Sequence, residues 1–319
     1  MPASYLKSFK SGKLKKITKK IYQELKSCAI CPRKCRVNRL KNEMGFCRTG
    51  LKARIYSFMP HHGEEPPISG KMGSGTIFFS NCNMSCAYCQ NFKFSQEGEG
   101  REVDDHELSS FMLELQEMGC HNINLVTPTH VLPQILNALL LAIPQGLKLP
   151  IVYNTAGYEL LKIIRMLEGI VDIYLADMRY ASEKKAKEYS LAPGYPKYNQ
   201  QSLIEMHKQV GMAKFDLCGI IVHGLIIRHL VLPGRTSGTE QVMRFIADNI
   251  SQETYISLMS QYSPYYKACK HQEINRRISL EEYAEAKKIM QECGLHNGWT
   301  QEEHGLENLA GIHIKSNFL

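Results

Sequence analysis

From Gly75 onward, short apolar runs alternate with amphipathic stretches. The runs are 75–80 (GTIFFS), 122–126 (NINLV), 149–153 (LPIVY), 171–176 (VDIYLA), 225–232 (LIIRHLVL) and 254–259 (TYISLM). They are apolar in succession, as strands covered on both faces should be. Between 106 and 119, Leu108, Phe111, Met112, Leu115 and Met118 fall on one helical face. Helical patterns also fit 131–143, 158–169 and 199–213, and Ser237 with Glu240 and Ser279 with Glu282 have capping-box spacing. Strands alternating with helices predict right-handed βαβ units and a parallel sheet. Six such units are two short of a closed eight-fold barrel, so a partial barrel and an open doubly wound sheet both fit.

In either architecture, ligands gather at the C-terminal ends of the strands. The residues following the runs are therefore the ones to read. They include Asn81 and Cys82, Thr127 to His130, Asn154 with Thr155 and Gly157, Asp177 and Arg179, and Pro233 with Gly234. Ahead of the alternating region the chain has two other textures. Residues 1–27 form a basic arm, and 28–70 a cysteine-rich module and loop, leaving 71–319 for the barrel and a C-terminal extension. MPHHGEEPPISGKMGSG (59–75) reads as loop. His61, His62, Glu64 and Glu65 lie in it, where it could close over a site.

Composition narrows the class. At 44% hydrophobic the chain can bury a large core, yet no run approaches the ~20 apolar residues of a membrane helix. The first residues are basic without an apolar core, unlike a secretory leader, and lack Arg, unlike a mitochondrial one. Eleven cysteines, seven of them in two clusters, suggest a reducing, cytoplasmic setting and metal rather than disulfides. Residues 1–27 hold eight Lys and one Glu, which is +7 of the net +8. A solvated helical arm is the ordinary reading of such a run, and contact with nucleic acid or an acidic partner is the sharper one.

The stretch SNCNMSCAYCQN places Cys82, Cys86 and Cys89 in C-x3-C-x2-C spacing just after the first run. Four thiolates close a metal site, whereas three leave a position open. Zinc with three cysteines and one of His61, His62 or His130 is one way to fill it. A cubane with one uncapped iron is the other.

The spacing, with aromatic Tyr88 before the third cysteine, resembles the signature of radical S-adenosylmethionine enzymes. That resemblance implies a partial (β/α)6 barrel of parallel strands, an α/β fold, with the small cysteine-rich module at its N-terminus. It implies one [4Fe-4S] cluster on the three cysteines and S-adenosyl-L-methionine chelated to the open iron. One electron from a flavodoxin- or ferredoxin-type donor then cleaves the cofactor to methionine and a 5′-deoxyadenosyl radical. Over about residues 75–265 the pattern is most similar to the pyruvate formate-lyase activating enzyme branch. YNTAGY, LADMRY and IIRHLVLPG match elements of that branch. The resemblance puts Tyr88 beside the adenine, Asn154, Thr155, Asp177 and Arg179 on the cofactor, and Arg228 on its carboxylate. VTPTHV stands where the branch has a Gly-Gly-Glu-Pro segment, so Thr127 is placed on the cofactor by position alone.

The substrate is left open between a glycine of a glycyl radical enzyme and another peptide or small molecule. A reading from a different class makes the chain a zinc-dependent nucleic-acid-binding protein, the less expected of the three. Cys28, Cys31, Cys35 and Cys47 form a second metal candidate that can close tetrahedrally on zinc. The Cys31–Pro32 step is also similar to ferredoxin cluster binding, where a cluster would offer an electron path, and thiols without metal are the third alternative.

Overall fold

The structure is a computed structural model that describes residues 2–301. The end of the expected C-terminal extension, 302–319, lies outside the described residues. Ten strands form one path with a short side branch. They are β1 Ala53–His61, β2 Ser74–Phe79, β3 Arg101–Val103, β4 Ile123–Val126, β5 Ile151–Thr155, β6 Ile173–Asp177, β7 Lys214–Phe215, β8 Ile221–Leu230, β9 Tyr255–Met259 and β10 Gly298–Thr300. The spatial order is β10-β9-β8-β6-β5-β4-β2-β1-β3, with β7 paired to β8.

The run from β2 through β4, β5, β6 and β8 to β9 is parallel throughout. These are the six strands the apolar runs predict. β10 extends one edge in parallel, and β1 and β3 extend the other antiparallel. The sheet is therefore an open α/β sheet that does not close on itself.

Strand alternation sorts the two faces. Tyr153, Tyr174, Leu225, Ile227, Ile256 and Leu258 join the large core beneath the helices. Val152, Ile173, Leu175 and Ile226 face the other way and meet Ile68, Phe215 and Trp299 in a small apolar plug. One turn of strand higher on that inner face the side chains become polar: Asn154, Asp177, Arg228 and Ser257. The apolar layer thus makes a floor, and the polar layer opens toward the C-terminal ends of the strands.

Several expectations need correction. The region before β2 is not only loop, because β1 runs through His61 and pairs antiparallel with β2. Asn154 and Thr155 lie inside β5 rather than after it; Pro150 lacks a ladder donor and the strand begins beyond it. Ser279 caps its helix as predicted. Ser237 does not: Gly238 in the left-handed region is the N-cap, and the Ser237 hydroxyl pairs with Thr239 instead. The cap at Asp104–Glu107 was not anticipated.

The basic arm is docked rather than solvated. Its helices Ser4–Lys10 and Lys13–Gln23 bury Tyr5, Leu14 and Ile21. The Tyr5 hydroxyl donates to Leu149 O at 2.9 Å and Ser8 Oγ to Gly169 O at 2.6 Å. Ser4 N donates to Asp172 Oδ1 at 2.7 Å. These contacts fall just ahead of β5 and β6, so the arm covers the end of the sheet away from the polar layer. Among the described residues, no helix is long and apolar enough to cross a membrane.

Candidate active site

A cavity of about 690 Å³ lies at the C-terminal ends of the parallel strands. Tyr88, Thr127, Asn154, Thr155, Asp177, Arg179 and Arg228 all line it, together with Cys89. These seven residues come from five separate stretches of chain and converge because each follows or ends a strand of the same sheet.

The cysteine loop leaves β2 through Asn81, which adopts a left-handed conformation (φ 70°) that Asn tolerates. Backbone bonds pin the loop down: Ser85 N to Ser190 O at 3.0 Å, and Ala87 N to Tyr189 O at 2.7 Å. Each sulfur has a donor. Met84 N reaches Cys82 Sγ at 3.3 Å, Ser95 Oγ lies 3.1 Å from Cys89 Sγ, and Ser190 Oγ donates to Cys86 Sγ at 3.0 Å. Arg179 Nη1 adds a cationic donor to Cys86 Sγ at 3.2 Å.

Burial, then neighbouring Cys86, pushes the Cys82 thiol up to about 12, and the same causes push Cys89 up to about 11. Bare, the Cys82 and Cys89 thiols keep their protons, and a thiophilic metal would release them on binding. Among the described residues, no three or more His, Cys, Asp or Glu side chains are arranged round one metal ion.

Asp177 accepts from Arg179 Nε at 2.8 Å, so the expected pair forms and is joined to Cys86 through the same guanidinium. Tyr88 is buried. Its hydroxyl starts a chain through Tyr180 (2.6 Å) and Ser190 (2.7 Å) that ends on Cys86 Sγ. Thr127 holds a left-handed backbone (φ 61°) that is costly for a β-branched residue.

Arg228 departs from its expected role. It does not present a free fork to the cavity. Nε and Nη2 bond both oxygens of Glu65 at 2.6 Å, Nη2 also bonds Glu64, and Nη1 reaches Asn154 Oδ1 at 3.3 Å. Glu64 in turn accepts from Asn124 Nδ2 at 2.9 Å and Asn154 Nδ2 at 3.2 Å. Burial alone would raise the Glu65 carboxyl, yet Arg228 and its hydrogen bonds hold it below the usual range. The β1–β2 loop is therefore folded into the sheet's concave side, two carboxylates against one guanidinium.

Thr155 also differs from expectation. Its hydroxyl is committed to Glu159 Oε1 at 2.5 Å, and Thr129 donates to the same oxygen at 2.6 Å. Glu159 is fully buried, and burial lifts its carboxyl to about 7 against these donors. Sequence reasoning passed over Glu159. The signal for it was a lone carboxylate in an otherwise apolar and hydroxyl-bearing stretch, YNTAGYELL.

Cys28, Cys31, Cys35 and Cys47 line a second, narrow cavity with Arg33, Arg39 and His130. The chain folds back on itself there through Arg36 N to Cys28 O (3.0 Å) and Cys28 N to Val37 O (2.9 Å). Phe46 N points at Cys35 Sγ at 3.4 Å. Gly45 packs so tightly on Cys35 that a Cβ would lie 2.8 Å from its sulfur.

No family model matches the chain. It is 31% identical over 281 residues to an uncharacterized protein of Methanocaldococcus jannaschii, an alignment covering 85% of this chain and 76% of that one. The chain belongs to the family of that protein. Among solved structures it is similar to HydG, described as a maturase of the [FeFe]-hydrogenase, with a TM-score of 0.45 and 11% identity. That match covers 68% of this chain, which spans 48% of the HydG chain.

Proposed function

We propose that this protein is a radical S-adenosylmethionine enzyme, with a [4Fe-4S] cluster on Cys82, Cys86 and Cys89 and the cofactor in the adjoining cavity. The observation that carries the reading is convergence. Three cysteines in C-x3-C-x2-C spacing sit at the end of the first parallel strand, beside a cavity lined by all seven residues matched to cofactor contacts. When bound, cluster and cofactor supply a 5′-deoxyadenosyl radical that abstracts hydrogen.

The donor set suits such a group. Three thiols, each with a polar donor and one with a guanidinium, stabilise thiolates and leave a coordination position open. Arg179 holds Asp177 at the rim and neutralises charge on Cys86. The Tyr88–Tyr180–Ser190 chain fixes both the aromatic ring and the sulfur it serves. Arg228 keeps Glu65 ionised inside a buried cavity and bonds Glu64 on the same guanidinium. Two carboxylates on one guanidinium suit an ammonium group better than a carboxylate, so the cofactor's amino end belongs at Glu64 and Glu65. That assignment fills the place left by the missing Gly-Gly-Glu-Pro segment. For the substrate, a protein glycine and a small molecule both remain compatible with an open rim.

Anaerobic reconstitution with iron and sulfide tests the reading. Brown protein that releases 5′-deoxyadenosine after dithionite supports it, and a colourless zinc protein would sink it. Deuterium passing from a labelled glycine of a partner into 5′-deoxyadenosine would select the glycyl radical substrate.

A further inference from the structure

The four-cysteine cavity contains polar groups that the fold leaves unpaired. Arg39 is 1% exposed. Its partners are the carbonyls of Gly50 (3.1 Å) and His130 (2.8 Å), with Cys28 Sγ at 4.0 Å, and its Nη2 has none. Arg33 donates through Nε to Asn83 O at 2.9 Å, and its buried Nη2 also has no partner. His130 is 1% exposed; one ring nitrogen, Nε2, meets Ser80 O at 2.8 Å, and the other has no partner.

Two guanidinium groups beside four cysteines, paired with carbonyls and, for Arg33, with the Phe46 ring at 3.6 Å, but with no carboxylate, make an expensive arrangement. Four thiolates on a metal centre carry net negative charge and remove that cost. The four-cysteine group and the 82–89 group are also wired together. Arg33 bonds the carbonyl of Asn83, next to Cys82, and His130 bonds the carbonyl of Ser80, two residues before it.

We infer that Cys28, Cys31, Cys35 and Cys47 ligate a second [4Fe-4S] cluster, closed by four thiolates and countered by Arg33 and Arg39, that relays electrons toward the 82–89 centre. The relay rests on the function proposed above, while the cluster itself does not. A low-potential one-electron carrier reduces the closed cluster by one electron. The same electron then reduces the open centre, returning the closed one to its oxidised state.

The experiment is iron, sulfide and zinc analysis with visible and EPR spectra on three anaerobically reconstituted full-length proteins. Wild type is expected to hold about eight irons, two cubanes' worth. The Cys82→Ala/Cys86→Ala/Cys89→Ala variant should keep about four, with broad visible absorption and a dithionite-induced EPR signal. The converse variant, Cys28→Ala/Cys35→Ala, should lose about four. Wild type with one zinc at the N-terminal group would overturn the inference. So would a folded triple-alanine variant with no iron, or a converse variant that keeps all wild-type iron. Should the triple variant not fold, the wild-type metal count and the converse variant still decide. If the proposed function alone is wrong, wild type and triple variant hold the same four irons.

Discussion

Arg228 meets Glu65 through two parallel N–H···O bonds of 2.6 Å each. This bidentate geometry, with Glu64 on the same guanidinium, pins the β1–β2 loop to β8 across the inner face. Breaking a buried pair by removing one partner typically costs about 3–5 kcal/mol, because the other charge is stranded. Arg228→Met should therefore lower stability by about that amount, read as a shift in the urea midpoint. A loss under about 1 kcal/mol would mean the pair is effectively solvated.

Glu159 makes stability depend on pH. Its carboxyl lies at about 7 in the folded protein against an ordinary value of 4.5. A raised carboxyl favours folding most at low pH, where both states are protonated. Stability is then lost as pH rises from about 4.5 toward 7, by up to about 1.4 kcal/mol per unit. Glu159→Gln should flatten that slope in urea titrations at a series of pH values. Equal slopes for both proteins would contradict the assignment.

The docked arm gives a prediction about the large core beneath the helices. Leu14 is fully buried on the second N-terminal helix. Leu14→Ala should cost about 2–5 kcal/mol as a core truncation. A solvated arm would show almost no change in thermal unfolding.

Ser190 donates to Cys86 Sγ and closes the chain from Tyr88. Hydrogen bonds to cluster sulfurs raise the reduction potential. Ser190→Ala should lower the potential of the 82–89 centre in a redox titration while leaving its iron content intact. An unchanged potential would show that the hydroxyl does not act on the sulfur.

The six parallel strands and the cysteine loop were legible because strands buried on both faces read as continuous apolar runs and because ligand spacing is local. β1 was not: its end carries Pro60 and His61, and turn residues mask a strand whose partner β2 begins thirteen residues beyond His61. The convergence of Thr127, Asn154, Asp177 and Arg179 was legible from their common place at strand ends, and that of Tyr88 and Arg228 from the family resemblance. What each does was less so. Arg228 reads as a free cation until the loop that carries Glu64 and Glu65 is seen to fold inward, a contact more than 160 residues apart in the chain. The arm misread for the same reason: its lysines dominate the composition, while the face formed by Tyr5, Leu14 and Ile21 decides where it goes.

The central claim is that three cysteines hold a cluster that cleaves S-adenosylmethionine. The direct measurement is 5′-deoxyadenosine formed per chain after anaerobic reconstitution and dithionite reduction, in wild type and in Cys86→Ala. The account predicts formation by wild type and none above background by the variant. Formation that persists undiminished in Cys86→Ala, or its absence from iron-loaded wild type, would contradict it.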